Sequence, residues 1–295
     1  MGRERGGGRE NRGFVLTTEQ PEPDLSRAPT PQTVLMTMIG RYCLDENPEI
    51  STTGYIDVLA RIGVSAHAAR LTVSRMTERG LLERSRRGRV AFFRASEVGL
   101  DVVRRQQQRT FHDTVEKPEP EGAWTILSFT LPETHRKERH LLRRRLAWES
   151  FGLLRDGVWI APGERDVSAI LAQLPGAGVD QHVEVFTAYP KFDDVEGMIS
   201  RTWHLDELAG RYHRFLRAWD VADPVPEATD DLGRDLVLES AWRQLLRETP
   251  RLPAVHLPRD WPAARCHELF RTLHETYRGD ADRIFAGILA EHRMS

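Results

Sequence analysis

The chain has 295 residues, 40% of them hydrophobic and 29% charged, and a formal net charge of −2 at pH 7. This length exceeds that of one ordinary domain, so we expect two or three domains. The sequence has no apolar run long enough to cross a bilayer, no secretory signal and no CxxC pair, which argues against a membrane-embedded, secreted or zinc-stabilised protein. The composition therefore predicts a cytoplasmic protein without a membrane partner.

The first 30 residues predict a disordered tail, because they are rich in Gly, Arg, Glu and Pro and show no hydrophobic periodicity. A helix begins near Pro31. Its apolar stripe consists of Val34, Leu35, Met38, Ile39 and Tyr42. We expect this stripe to pack behind the two helices that follow.

Residues 52–79 predict two helices joined by a short turn. Gly63 can end the first helix and Ser65 can cap the second. Within the second helix the side chains expected to pack inward are Ala69, Val73 and Met76, which lie three or four residues apart. Its open face then carries His67, Arg70, Leu71, Ser74 and Arg75.

A basic hairpin follows, with a tight turn expected at residues 85–88. Two helices with a short turn and a basic hairpin form a winged helix-turn-helix, whose second helix fits the major groove and whose wing reaches phosphates. The candidate DNA-binding residues are therefore Ser65, His67, Arg70, Ser74, Arg75, Arg86, Arg87 and Arg89. Between Ser65 and Arg94 there are eight arginines and two glutamates, which gives a local charge of +6 and favours DNA over a merely solvated surface.

Residues 31–111 are assigned to this DNA-binding domain, with a last helix that Ser96 caps. A linker rich in proline and acidic residues separates it from a middle domain at 123–192. There the pattern predicts strand, helix, strand, strand, helix and strand, which is the ferredoxin-like order. We expect this domain to serve dimerisation or effector binding.

Residues 196–295 predict a C-terminal helical domain. Its expected helices span 196–219, 232–248 and 263 to about 291. The whole chain is therefore predicted to be an α+β protein with an N-terminal winged helix-turn-helix, a ferredoxin-like middle domain and helices at its C-terminal end.

Several segments resemble, in order, those of the PaaX-type transcriptional repressors, which regulate phenylacetic acid catabolism. They are VSAHAARLTVSRMTERGLLERSRRGR (64–89), GAWTILSF (122–129), FGLLRDGVWIAP (151–162), TWHLDELAGRYHRFLRAW (202–219) and PRLPAVHLPRDWPAARCHELF (250–270). The resemblance covers roughly residues 31–292. One departure is His204, where the family pattern has Asp; it bears on the ligand more than on the fold.

The resemblance implies a homodimeric repressor of an aromatic-acid catabolic operon that binds an inverted repeat in double-stranded operator DNA. It also implies no cofactor, but an effector that releases the DNA. That effector would be an aryl-CoA thioester, typically phenylacetyl-CoA, or another acyl-CoA.

Two sets of residues are candidates for the effector site. The arginine-rich helix offers Arg136, Arg139 and Arg143, whose planar forks suit phosphates, although DNA contact or a solvated face are equally open interpretations. The aromatic candidates are Trp148, Trp159 and Trp203, next to His204; such tryptophans are also ordinary core residues.

The alternative hypothesis is a Cas2-like metal-dependent nuclease, because the middle domain resembles the Cas2 fold. Those enzymes place a metal-binding aspartate at the end of the first strand. Here that strand ends at Thr130-Leu131-Pro132, with Glu133 beyond, and a carboxylate there is better explained as a favourable helix start. No catalytic triad, P-loop or metal-ligand spacing is present, so we assign no catalytic or metal residues and expect no enzyme activity.

Overall fold

The computed structural model describes the chain from residue 29 onward, with gaps. The described residues are 29–111, 122–172, 174, 180–189, 194–247, 249, 252 and 257–293. Within them, the side chains of residues 105–111, 148, 180, 247 and 293 lie outside the description. The predicted tail, apart from its last two residues, and nearly all of the predicted linker also lie outside it.

Four helices form the N-terminal segment. They are α1 (Pro31–Tyr42), α2 (Thr52–Ala60), α3 (Ala66–Glu78) and α4 (Glu97–Phe111). Each follows a hydroxyl side chain that accepts a hydrogen bond from the backbone N–H three residues further on; these are Thr30, Ser51, Ser65 and Ser96. The caps satisfy N–H groups that a first helical turn leaves without a partner, which explains where the helices start.

A three-stranded antiparallel sheet completes this segment. Its strands are β1 (Ile50–Ser51), β2 (Leu82–Arg87) and β3 (Val90–Ala95), in the order β1-β3-β2. Strand β1 is absent from the sequence prediction, because two residues show no alternation.

The turn predicted at residues 85–88 is wrong by two residues. Arg87 pairs with Val90, so the turn consists of Gly88 and Arg89, and Gly88 has φ +61°. A two-residue loop with positive φ follows the twist of a hairpin, and glycine adopts this conformation without strain. Arg86 and Arg87 therefore belong to a strand, and Arg89 lies in the turn.

The middle segment has the predicted order of elements. It comprises β4 (Trp124–Phe129), α5 (Arg136–Trp148), β5 (Gly152–Arg155), β6 (Val158–Pro162), α6 (Ser168–Leu171) and β7 (Val183–Ala188). The strands form an antiparallel sheet in the order β5-β6-β4-β7, with the first and third strands of the segment at its centre. Antiparallel sheets and helices together confirm the predicted α+β class.

The two faces of this four-stranded sheet are buried against different helices. On one face, Leu127 and Trp159 pack with Leu142 of α5. On the other face, Ile160 packs in a cluster with residues of α7 (Val195–Trp203). Neighbouring residues of a strand point to opposite faces, so Trp159 and Ile160 contribute to separate cores.

Helices make up the C-terminal segment. After α7 come α8 (Leu205–Trp219), α9 (Asp231–Arg247) and α10 (Ala263–Arg293). The single helix predicted over 196–219 is wrong, because the chain is interrupted at His204, which has φ 49° and ψ 59° in the left-handed region. His, Asn and Asp enter this region more readily than other non-glycine residues, so the position suits both His and the Asp of the family pattern.

One hydrophobic core joins the two ends of the chain. Leu236 of α9 and Phe285 of α10 are buried in the same cluster as Leu35, Tyr55 and Met76 from α1, α2 and α3. The predicted division into separate N-terminal and C-terminal domains stays a prediction, but the cores on the two sides of it are continuous. Across the described residues, no helix is both long and apolar enough to span a membrane.

Candidate nucleic-acid interface and effector regions

The core holds helix α3 in place and turns one side of it outward. Ala69, Val73 and Met76 are buried, and α3 contacts both α1 and α2. The outward side carries His67, Arg70, Leu71, Ser74 and Arg75, all of them exposed. Periodicity alone therefore predicts correctly which side of this helix faces solvent.

The polar groups on this side differ in how they are engaged. Arg70 and Arg75 make no side-chain hydrogen bond or ion pair with any residue that the structure describes. The Ser74 hydroxyl donates to Glu78 at 3.0 Å, and Ser65 serves as the N-cap of α3. Two guanidinium groups are thus available to an external acceptor, whereas the two serines already have local roles.

The hairpin formed by β2 and β3 presents arginines of two kinds. Arg86 and Arg89 are exposed and form no side-chain bond within the described part of the chain. Arg87 donates to Glu49 at 2.5 Å, and its guanidinium lies 5.2 Å from the centroid of the Phe92 ring. Arg86 and Arg89 are therefore free to meet phosphates, while Arg87 must first leave an internal partner.

On helix α5, the predicted phosphate-binding residues also differ in whether they already have internal partners. Arg139 donates to the Leu131 carbonyl oxygen at 2.6 Å and to Glu133 at 3.1 Å, so it holds the loop that leads into α5. Arg143 lies 4.0 Å from Asp156, and Arg136 is exposed. Arg136 is the member of this set with the fewest internal contacts among the described residues.

The predicted aromatic residues do not form one pocket. Trp159 is buried on the α5 side of the four-stranded sheet, and Trp203 is buried on the opposite side. The Trp203 indole N–H donates to the Ser150 carbonyl oxygen at 3.3 Å. His204 is exposed in the break between α7 and α8, and the side chain of Trp148 lies outside the described residues. Both described tryptophans are buried core residues. They cannot line one cavity, because they lie on opposite faces of one sheet.

The structure also contains a partly buried ionic cluster that the sequence prediction missed. Arg41 of α1 donates to Asp235 of α9 and, at 2.9 Å, to Asp282 of α10. His274 of α10 contacts the other oxygen of Asp235 at 2.8 Å. Burial lowers the pKa of Arg41, but Asp235 and the neighbouring carboxylates raise it, and the pKa ends above its usual value.

A second buried ion pair lies one turn further along α9. Glu239 accepts from Arg243 at 3.0 and 2.5 Å, and both side chains are almost completely buried. The signal in the sequence was the recurrence of charge at every fourth position of an apolar helix, namely Asp235, Glu239 and Arg243. Such spacing places charges on one helix face, and a buried face then requires partners elsewhere.

The described residues include neither a metal-binding cluster nor a reactive cysteine. Within the described ranges there is no group of three His, Cys, Asp or Glu residues placed to hold a metal ion. The two cysteines, Cys43 and Cys266, are buried, and burial raises the pKa of each thiol to about 12. Both thiols are thus protonated near neutral pH and are poor nucleophiles.

Three family models match consecutive parts of the chain. The model described as PaaX-like protein matches residues 30–99, that of the PaaX protein central Cas2-like domain matches residues 117–198, and that of the PaaX-like protein C-terminal domain matches residues 203–287. The three matches follow one another in the order of the segments described above.

Individual relatives agree with these matches. The chain is 25% identical over 232 residues to the transcriptional repressor PaaX of Escherichia coli (strain K12), which covers 74% of this chain and 71% of the relative. It is also similar in structure to the uncharacterized protein Rv0674 from Mycobacterium tuberculosis, with a TM-score of 0.61 and 26% identity over 86% of this chain and 98% of that one. With PaaX models matching in order from residue 30 to residue 287, the chain belongs to the PaaX family.

Proposed function

We propose that the chain is a transcriptional repressor that binds double-stranded operator DNA through a winged helix-turn-helix formed by residues 31–111. The observation that carries this proposal is the exposed side of α3, where Arg70 and Arg75 have no described partner beside a basic hairpin. The name of the Escherichia coli relative, transcriptional repressor PaaX, supports the same function.

The proposed binding mode assigns different tasks to the two elements. Helix α3 enters the major groove, where Arg70, Arg75 and His67 reach base edges. The hairpin extends Arg86 and Arg89 toward the phosphates on either side of the groove. Base contacts then supply specificity, and phosphate contacts supply affinity that depends on salt concentration.

We further propose that the repressor acts in the cytoplasm as a homodimer on an inverted repeat. Strand β7 supports this, because it lies at the edge of the four-stranded sheet and exposes Val185 and Phe186. An edge strand has unpaired backbone groups that a second strand can use, and a symmetric pair of readers matches a symmetric operator.

The effector proposal follows from the family resemblance. An aryl-CoA thioester such as phenylacetyl-CoA, or another acyl-CoA, would bind the free repressor more tightly than the DNA-bound one. Linkage then requires the effector to weaken operator binding by the same factor, and a coupling of about 2–3 kcal/mol suffices for induction. Titration of a preformed protein–operator complex with thioesters, free acids and CoA alone tests this proposal.

A gel-shift experiment tests the DNA-binding function and also examines the nuclease alternative. Fragments from upstream of the neighbouring operon are mixed with the protein, first without divalent metal and then with Mg²⁺ or Mn²⁺. We expect a shifted band that persists and intact DNA after incubation with metal. Cleavage of the DNA would instead support the Cas2-like nuclease. The carboxylate beyond the first strand of the middle segment, Glu133, is here paired with Arg139.

A further inference from the structure

A cavity lies where the N-terminal and C-terminal helices meet. Its volume is about 480 Å³, and it is bounded by α1, α9 and α10. We call it the junction cavity. Its apolar wall consists of Tyr42, Phe285, Ala286 and Leu289. Polar side chains also line the junction cavity, among them those of Arg41, Glu239 and Arg278.

Two residues of the apolar wall, Leu289 and Ala286, remain open to a bound group, because Phe285 is only 2% exposed and the Arg41 guanidinium lies over the Tyr42 ring. The rings of Tyr42 and Phe285 stack with centroids 4.0 Å apart and planes inclined by 14°. Ala286 is exposed and its methyl group takes up little of the space. The volume falls in the range of about 300–1,000 Å³ in which proteins bind small organic molecules.

Glu239 gives the junction cavity a specific polar requirement. Its Oε1 atom accepts two hydrogen bonds from Arg243, but its Oε2 atom is buried and has no hydrogen-bond partner among the described residues. The Nη1 atom of Arg41 lies 3.8 Å from Oε2, too far for a hydrogen bond. A buried carboxylate oxygen without a donor is unfavourable, so a bound group that brings an N–H would complete this site.

We propose that the junction cavity binds the acyl-thioester end of the effector. This inference rests on the proposed response to an aryl-CoA thioester. The aryl ring packs against Leu289 and Ala286, an amide N–H of the pantetheine arm donates to Oε2 of Glu239, and the phosphates stay outside near Arg278. Arg278 suits that role because its side chain is 66% exposed and its closest carboxylate, Asp282, is 3.8 Å away.

The helices that surround the junction cavity also pack against the proposed DNA-binding segment, residues 31–111. Arg41 ties α1 to α9 and α10 across this cavity through Asp235 and Asp282. Further along α10, Ile288 is buried in the core that also contains residues of α2, and His292 lies 4.0 Å from Asp57 of α2. A ligand that changes the spacing between α1 and α10 therefore changes the support of the helix that precedes α3.

The test is a substitution that fills the cavity from its exposed side. Ala286→Phe is compared with Ala264→Phe, a matched change at an exposed position in the first turn of the same helix. Binding of phenylacetyl-CoA to each free protein is measured by calorimetry, and operator affinity is measured without ligand. We expect Ala286→Phe to weaken ligand binding by about tenfold or more, because the added ring fills the space that the ligand needs. Ala264→Phe should leave ligand binding and operator affinity unchanged.

Two other results would overturn the inference, and they differ in what they say about the effector. If wild type and Ala286→Phe bind phenylacetyl-CoA equally well, the junction cavity is not the binding site, although the proposed effector is still supported. The Arg139→Ala/Arg143→Ala double variant then tests helix α5 as the site. If wild type binds no aryl-CoA thioester at all, the inference and the proposed effector fail together, whatever the DNA affinity.

The role of Glu239 is tested separately with Glu239→Gln and with truncated ligands. Phenylacetic acid has the ring without the amide, and CoA has the amide without the ring. Both should bind at least about tenfold more weakly than phenylacetyl-CoA, since CoA loses the ring contact and phenylacetic acid loses the amide and phosphate contacts. Glu239→Gln should narrow the difference between phenylacetyl-CoA and phenylacetic acid. Equal binding of phenylacetic acid and the thioester to wild type would overturn the assignment of the amide to Glu239.

Discussion

Arg70 is the residue on which sequence recognition is proposed to depend most. It is exposed on α3 and has no described partner, so its fork is free to form two hydrogen bonds with a guanine. We expect Arg70→Ala to reduce the preference for operator over random DNA by about 1–3 kcal/mol. The measurement is a competition titration with both DNAs, and Arg201→Ala on α7 serves as the control. Equal losses on the two DNAs would show that Arg70 contacts only phosphate.

Arg41 is the residue on which we expect the stability of the fold to depend strongly. Replacing it by Met leaves Asp235 buried with His274 as its remaining described partner. Loss of one member of a buried ion pair typically costs about 3–5 kcal/mol, so Arg41→Met should lower the denaturant midpoint strongly. Arg283→Met is the control, because Arg283 pairs with Asp280 on the surface and such pairs contribute at most about 1 kcal/mol. Similar midpoints for the two variants would contradict a structural role for the cluster.

Single residues also show what a sequence can and cannot predict. The exposed side of α3 follows from a helical period, which is a local property. The partner of Arg87 is Glu49, 38 residues away, and the partner of Arg41 is Asp235, 194 residues away. Contacts at such separations depend on how elements pack, so no pattern within one helix or strand could reveal them.

At the scale of elements, the hairpin gives a sharper prediction than the sequence alone. Arg86 and Arg89 are free, and Arg87 is engaged with Glu49. The Arg86→Ala/Arg89→Ala double variant should bind every DNA more weakly and flatten the log–log salt dependence by up to about two units.

The single variant Arg87→Ala provides the comparison for this element. Because Arg87 already has an internal partner, its loss should change the salt dependence by less than half of the change seen in the double variant. Affinities measured between low and moderate salt give both slopes. An unchanged slope in the double variant would mean that the hairpin does not touch the DNA backbone.

The elements themselves were largely predictable, and the exceptions have physical causes. Caps and prolines indicated the starts of α1 and α3, and the alternation of strands and helices indicated the ferredoxin-like order of the middle segment. The break at His204 was not predictable, because the residues on both sides of it keep a helical period. Strand β1 has two residues, too few to show any period.

At the scale of the whole molecule, the shared core predicts that the proposed DNA-binding segment, residues 31–111, depends on the C-terminal helices for its stability. Leu236 and Phe285 belong to the same buried cluster as Tyr55 and Met76. A fragment of residues 29–111 should therefore lack a cooperative unfolding transition, since part of its apolar surface is left exposed. Co-expression with residues 194–293 should restore a soluble complex that unfolds cooperatively. A stably folded fragment 29–111 would contradict the dependence.

The same continuity would let the proposed effector act on DNA binding. Helices α1, α9 and α10 connect the junction cavity and the ionic cluster to the proposed DNA-binding segment. Ligand binding in the cavity and DNA binding at α3 can therefore favour different arrangements of these helices. The candidate effector residues predicted from sequence lie instead on α5 and on two faces of the middle sheet. Composition and spacing identify phosphate-binding and aromatic side chains, but only packing shows which of them share a cavity.

The most direct test of sequence-specific DNA binding is the affinity of the full chain for two fragments of equal length at one salt concentration. One fragment carries the inverted repeat from upstream of the neighbouring operon, and the other carries the same bases in scrambled order. The proposed repressor should bind the first at least about 10³-fold more tightly, as specific DNA-binding proteins do. Affinities that agree within about tenfold would reduce the basic surface of α3 and the hairpin to a non-specific patch and contradict the proposed function.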